Sequence, residues 1–135
     1  MRNFQTLDTI SIDNQTGICN LTTKANTPSD SQIAIRREGD YVVISASFGP
    51  LEIALRPRFE ELQRTLSRLK PIDGLQTSRQ LGTAQAYIAF GLHTDNTLVV
   101  RPTIVADASG HIVFNLMVSP AAREQLFTWL NCVPE

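Results

Sequence analysis

The residues of this sequence that could carry metal or nucleophilic chemistry are few and far apart. His93 and His111 are the only histidines, and Cys19 and Cys132 are the only cysteines. A zinc site needs several such side chains at short spacings, and a nucleophile needs a base beside it. No such spacing is present. We therefore expect solvent-facing structural histidines and reduced thiols, with a disulfide only in an oxidising compartment.

Other chemical candidates have simpler structural explanations. Gly74, Ser78 and Gly82 share one stretch and suggest phosphate binding, but their spacing fits no known phosphate cradle. Glu60 and Glu61 fall in the first turn of a predicted helix, where the helix dipole favours negative charge. The sequence contains no GxSxG, GxxxxGK[ST], GxGxxG or HExxH motif. It therefore predicts a protein that is not an enzyme and that holds no metal and no cofactor.

Length and composition limit the classes of protein to which this chain could belong. A chain of 135 residues fits one domain, and 42% hydrophobic residues with a net charge of -1 describe a globular protein. Such a balance gives no general attraction to nucleic acid or to an anionic membrane. The N-terminus lacks the apolar stretch of a signal peptide, and no window is long and apolar enough to span a membrane. A cytoplasmic location is the resulting expectation.

The elements that would position any site follow from periodicity. Residues 1–30 are expected to be irregular, with Thr9–Ile12 and Ile18–Thr22 as brief strands at most. Alternation of apolar and polar residues then predicts strands over 31–36, 41–48 and 51–56. Pro57 is expected to open a helix over 57–70, which Pro71 ends. Its apolar stripe consists of Phe59, Leu62, Leu66 and Leu69.

The same order of elements follows the long connection at 71–85. Strands are predicted over 86–93, 98–106 and 112–118, with a hairpin loop at 107–110. Pro102 is expected to make the middle strand an edge strand or a bulged one. Ser119 is a suitable N-cap for a helix over 120–131. The apolar stripe of that helix consists of Ala122, Leu126, Trp129, Leu130 and Val133.

These patterns predict an α+β fold with antiparallel sheets and two helices. After the N-terminal segment, residues 31–135 form one domain of two pseudo-repeats, 31–70 and 86–133. Each repeat has the order strand, strand, strand, helix.

The stretch VVRPTIVADASGHIVFNLMVSP, residues 99–120, resembles the second half of a Whirly domain. The order of elements is similar to that of the Whirly proteins and of the related single-stranded-DNA-binding coactivator fold. The resemblance implies this fold and, as an alternative function, binding of single-stranded nucleic acid. That function needs a basic groove and aromatic rings for base stacking. The residues that would supply them are Arg36, Arg56, Arg79, Arg101, Tyr41 and Tyr87.

The predicted strands also have an outer face that is unusual for a solvated sheet. Small, mildly apolar side chains with a few arginines and tyrosines replace the expected lysines and glutamates, and such patches mark contact surfaces. The candidate binding residues are Arg36, Tyr41, Val43, Arg56, Tyr87, Val99 and Arg101, with Arg79 in the long connection. Either a partner or residues 1–30 would cover this face. The sequence thus predicts a non-catalytic interaction protein, an accessory subunit or adaptor, that binds a protein or a second copy of itself.

Overall fold

The computed structural model describes residues 3–132, which form two β-sheets and two helices. The first half of the chain contains β1 (Gln5–Leu7), β2 (Thr9–Ile12), β3 (Ile18–Thr22), β4 (Ser31–Glu38), β5 (Tyr41–Phe48), β6 (Leu51–Leu55) and α1 (Phe59–Ser67). The second half contains β7 (Pro71–Ile72), β8 (Arg79–Gly82), β9 (Ala86–His93), β10 (Leu98–Asp107), β11 (Gly110–Val113), β12 (Leu116–Val118) and α2 (Pro120–Leu130). The predicted α+β class is confirmed.

The first sheet is a five-stranded antiparallel meander with the order β2-β3-β4-β5-β6. Its period-two pattern buries one face and leaves the other accessible, as in the strict alternation along β5. The buried residues on its inner face include Leu21, Ile33, Ile35, Ile44 and Ile53. The turn between β4 and β5 has Gly39 at φ 62°, a left-handed conformation that glycine adopts without strain.

The second sheet has seven strands, with the order β1-β12-β10-β9-β7 and with β11 and β8 also paired to β10 and β9. Its pairings are antiparallel except for two short ones, β1 with β12 and β7 with β9, which are parallel. Residues 71–85, expected to be a plain connection, therefore contribute two short strands to the edge of β9.

Both helices pack between the inner faces of the two sheets. Leu62 and Leu66 of α1 and Leu126 and Leu130 of α2 are buried in one hydrophobic cluster with residues of both sheets. A void of about 20 Å³ is the space left where the two sheets and the two helices meet. The predicted apolar stripes therefore face the core, with Phe59 and Trp129 only partly buried, and Val133 lies outside the described residues.

The helix boundaries differ slightly from the predicted ones. Ser119 caps α2 as expected, accepting a hydrogen bond from the Ala122 backbone N–H at 3.4 Å. Pro57, however, does not open α1, which begins at Phe59. Residues 57–59 instead extend the pairing with β5, because Val42 N–H donates to the Pro57 carbonyl and Phe59 N–H donates to the Asp40 carbonyl.

The prediction for Pro102 was also wrong in part, because β10 is a central strand. β12 pairs with its first residues and β11 with its last, and the interruption between them falls at Phe114 and Asn115. Phe114 N–H donates to the Pro102 carbonyl, so Pro102 turns its hydrogen-bonding side toward that interruption. Because proline has no N–H to donate, the pairing on this side of β10 is interrupted between β11 and β12, and β10 itself stays in the middle of the sheet.

Candidate interaction site

Four of the predicted binding residues come together at one corner of the five-stranded sheet. Arg36 pairs in register with Val43 on the neighbouring strand. Arg36 and Arg56 both reach the Glu38 carboxylate, at 3.2 and 3.5 Å. The guanidinium of Arg56 also lies 4.4 Å from the centre of the Tyr41 ring. The outer face of this sheet is accessible at these residues, as the alternation predicted.

The charges of this corner offset one another only in part, because Glu38 is paired with two of its three arginines. Glu38 neutralises part of the charge of Arg36 and Arg56, and Arg58 approaches the ring of Tyr41 to 5.3 Å beside Arg56. Exposed ion pairs of this kind add little to stability. The corner is therefore a mixed-charge surface whose one aromatic ring is flanked by two guanidinium groups.

The other four predicted residues lie on the seven-stranded sheet, across the core from the first four. Arg79 is exposed in β8, and Tyr87 is half-buried. Arg101 donates a 2.9 Å hydrogen bond through Nε to Asn115 Oδ1. Val99 is 0% exposed, so its prediction as part of an accessible surface was wrong. Tyr41 and Arg56 line a cavity of about 430 Å³ with residues of β8 and β9, but none of these other four lines it, so the eight residues do not form one surface.

The chain itself covers part of the outer face of the seven-stranded sheet, but not with residues 1–30. The described part of that segment extends both sheets instead, through β1, β2 and β3. The cover comes from residues 73–78. The carbonyl oxygen of Gln76 occupies the space where a Cβ of residue 91 would stand, which only Gly91 allows.

A groove that the sequence analysis missed opens at one end of the molecule, between the two sheets. We call it the end groove, and it has a volume of about 450 Å³. Its apolar lining consists of Phe4, Phe48, Leu51, Ile112, Val113 and Phe114. Its polar lining consists of Asn3, Gln5, Ser31 and Asn115, so none of the lining residues within 3–132 is charged.

Residues of both sheets line the end groove, and no residue of α1 or α2 does. Phe48 lies on the same face of β5 as the buried Ile44, and it pairs in register with Leu51. Ile112 pairs with Ile104, which packs against the core. Phe48, Leu51 and Ile112 are nevertheless 49%, 43% and 44% exposed. These are core-facing side chains that residues 3–132 cover only in part.

The sequence signal for the end groove was weak. Phe48 and Leu51 flank the Gly49-Pro50 turn, and Ile112 follows the 107–110 hairpin loop. Large apolar residues beside turns lie at the ends of strands, where the core stops. Whether the core covers them depends on how far the helices reach, which periodicity does not encode.

The residues capable of acid–base or metal chemistry are not brought together. Within residues 3–132, no three histidine, cysteine or carboxylate side chains are placed to hold a metal ion. His93 Nδ1 lies 3.1 Å from the Gly74 carbonyl oxygen, and His111 is exposed on β11. Burial raises the pKa of the Cys19 and Cys132 thiols to about 11, and both cysteines are free.

Comparisons with known proteins returned no relative. No protein-family model, no curated protein and no solved structure matches this chain. Among the described residues, neither helix has the length and apolar character needed to cross a bilayer.

Proposed function

We propose that this protein is a non-catalytic interaction protein, an accessory subunit or adaptor, whose end groove receives part of a protein partner. One observation carries the proposal. Of the five exposed large hydrophobic residues among 3–132, Phe48, Leu51 and Ile112 converge on this one groove. Exposed apolar residues scattered singly need no explanation, whereas apolar residues that converge on one concave site are a candidate binding surface.

The anatomy of the end groove supports this role. Interfaces place an apolar, desolvated centre inside a polar rim, with aromatic residues enriched and charged residues depleted at the centre. The apolar lining of the groove includes phenylalanines and aliphatic residues, and its uncharged polar border includes Gln5 and Asn115. A partner side chain placed between the sheets would continue the core that the helices leave unfilled.

The open face of the five-stranded sheet, predicted from the sequence, is the weaker candidate. Its residues Val43, Ser45 and Ser47 are half-buried and small, and Ser47 lines a cavity of about 190 Å³ that is smaller than the end groove. Single-stranded nucleic-acid binding is the alternative function that the Whirly resemblance implies. It has less support, because the ring of Tyr41 already contacts the guanidinium groups of Arg56 and Arg58, with which a stacking base would compete.

The experiment compares the proteins that full-length wild type and two variants capture from a native lysate, measured by quantitative mass spectrometry. Ile112→Glu places a charge in the end groove. Ile12→Glu is the matched control, because Ile12 is an isoleucine of similar exposure, 40%, on the edge strand β2 and outside the groove. We expect Ile112→Glu to lose its partner and Ile12→Glu to retain it.

Two further results would redirect the proposal. Loss of the partner in Val43→Glu but not in Ile112→Glu would move the interface to the open sheet face. Binding of single-stranded DNA that weakens steeply with salt would instead favour the nucleic-acid function, because phosphate contacts release counterions.

A further inference from the structure

The strand β11 forms one wall of the end groove and has one unpaired edge. It pairs with β10 on one side only, and within residues 3–132 no strand pairs with it on the other side. The next part of the same edge is occupied, because Gln5 N–H donates to the Asn115 carbonyl and β1 then pairs with β12 in parallel. Within residues 3–132, this edge therefore receives a strand at 115–118 and none at 110–113.

The hydrogen-bonding groups of the vacant edge can be assigned from the register. Phe114 N–H points to β10, since it donates to the Pro102 carbonyl. Backbone groups alternate along a strand, so Ile112 also faces β10, and His111 and Val113 turn their N–H and C=O groups to the free edge. β11 carries no lysine or proline, two residues that commonly protect such edges.

The free edge and the end groove are continuous. Ile112, Val113 and Phe114 line the groove, whereas the side chain of His111 does not. A strand placed beside β11 would lie along the opening between the two sheets. One side of that strand would point into the groove, because successive side chains of a strand alternate.

We propose that the occupant of the end groove is a short, extended, uncharged segment of a protein partner, which adds to β11 as a further strand. The inference deepens the proposed function and depends on it. Strand addition derives affinity from backbone hydrogen bonds and specificity from pockets for alternate side chains. The uncharged lining of the groove favours apolar side chains at the positions that point inward.

The small size of the exposed apolar patch favours a segment over a second copy of this chain. Each large side chain has about 200 Å² of surface, so the exposed areas of Phe48, Leu51 and Ile112 together amount to less than about 300 Å². A standard interface between folded proteins buries ~800 Å² on each side. A short strand needs less apolar area, because the free N–H and C=O groups of His111 and Val113 supply further contacts.

The test begins with a displayed library of random eight-residue peptides selected against the full chain. We expect enrichment of uncharged sequences with apolar residues at alternate positions. The synthetic consensus peptide is then titrated against wild type, His111→Pro and His111→Ala. His111→Pro removes one N–H from the free edge, and His111→Ala removes the same side chain but keeps that N–H.

His111→Pro should weaken peptide binding about tenfold, the expected effect of one lost backbone hydrogen bond, and His111→Ala should bind as wild type does. Amide exchange provides a second measurement that does not depend on the folding of the proline variant. In wild type, the His111 and Val113 amides should exchange at least about tenfold more slowly with the peptide bound.

Each contrary result overturns a separate part of the proposal. Equal binding by His111→Pro and wild type, without protection of these amides, would exclude strand addition. If Ile112→Glu still lost its partner, the proposed function would remain. Enrichment of charged or proline-rich peptides, or no enrichment, would exclude the apolar segment. A wild-type dimer in sedimentation that Ile112→Glu dissociates would identify a second copy as the occupant.

Discussion

Gln5 Nε2 donates a 2.8 Å hydrogen bond to Asp30 Oδ1, and this bond connects the two sheets. Gln5 belongs to β1 of the seven-stranded sheet, and Asp30 immediately precedes β4 of the five-stranded sheet. The same glutamine side chain accepts a 2.6 Å hydrogen bond from the Ser31 backbone N–H. Asp30 also accepts from Thr23 Oγ1 at 2.7 Å. This polar network borders the end groove and holds its two sides together.

The stability that this network provides should depend on pH. The hydroxyl of Thr23, then the backbone N–H of Thr27, hold the pKa of Asp30 below its ordinary value of 3.8. A carboxylate with a lowered folded pKa stabilises the fold above the unfolded pKa, and this contribution is lost as the pH falls through the folded pKa. We expect Asp30→Asn to be less stable than wild type at pH 7, with a difference that shrinks below pH 3.8.

Urea denaturation of both proteins between pH 7 and pH 2.5 measures this difference. Asp73→Asn, which neutralises an exposed carboxylate in the 73–78 segment, is the control for the loss of one negative charge. A constant difference between wild type and Asp30→Asn at every pH would show that the carboxylate charge is not what stabilises the network.

Gly91→Ala should destabilise the protein although it adds only a methyl group. The added Cβ would overlap the Gln76 carbonyl, so the backbone of either segment must move, at a cost of about 1–3 kcal/mol. Gly110→Ala is the matched control, because Gly110 lies in β11 and a Cβ added there would have no atom within 4 Å. Thermal denaturation compares the two variants. Equal midpoints would mean that residues 73–78 do not rest on β9 in solution.

Val43→Glu and Val99→Glu should differ sharply, although the sequence pattern places both valines on the same kind of face. Val99 is fully buried, and an uncompensated charge there should cost at least ~3 kcal/mol. Val43 is half-buried on the accessible face of β5, where the carboxylate can reach water. Circular dichroism in a urea gradient measures both. If Val99→Glu is as stable as wild type, then the 73–78 segment does not close over that face.

The sequence correctly predicted features that depend on a single helix or strand. The stripe of Leu62 and Leu66 and the N-cap at Ser119 each follow from local spacing, and each was confirmed. Features that depend on two distant segments were missed. The parallel pairing of β1 with β12 and the contact of Gln76 with Gly91 leave no period in the sequence, because neither partner encodes the other.

The candidate site was predictable only in part for the same reason. Alternation correctly placed Arg36, Val43 and Arg56 on the accessible side of the first sheet. The end groove depends instead on where two sheets diverge and where the helices stop, so periodicity alone places Phe48 and Ile112 among ordinary core residues.

Both thiols should react slowly with an aromatic disulfide reagent while the protein is folded. Burial raises the pKa of Cys19 and Cys132 from 9.0 to about 11, which lowers the thiolate fraction at pH 8 about a hundredfold. The reference is the rate of labelling in 6 M guanidinium, where the chain is unfolded and both thiols are accessible to the reagent. Fast labelling of Cys132 in the folded protein would indicate that the chain opens at the end of α2.

Leu51→Ala and Leu66→Ala remove the same atoms from opposite environments, and their comparison tests whether the end groove is open. Leu66 is 3% exposed in the core, so its truncation should cost ~2–5 kcal/mol. Leu51 is 43% exposed, so its truncation should cost less than ~1 kcal/mol, because water already reaches much of the side chain. Urea denaturation gives both free energies of unfolding. A loss in Leu51→Ala equal to that in Leu66→Ala would mean that the two sheets close over Leu51, which would leave no groove for a partner.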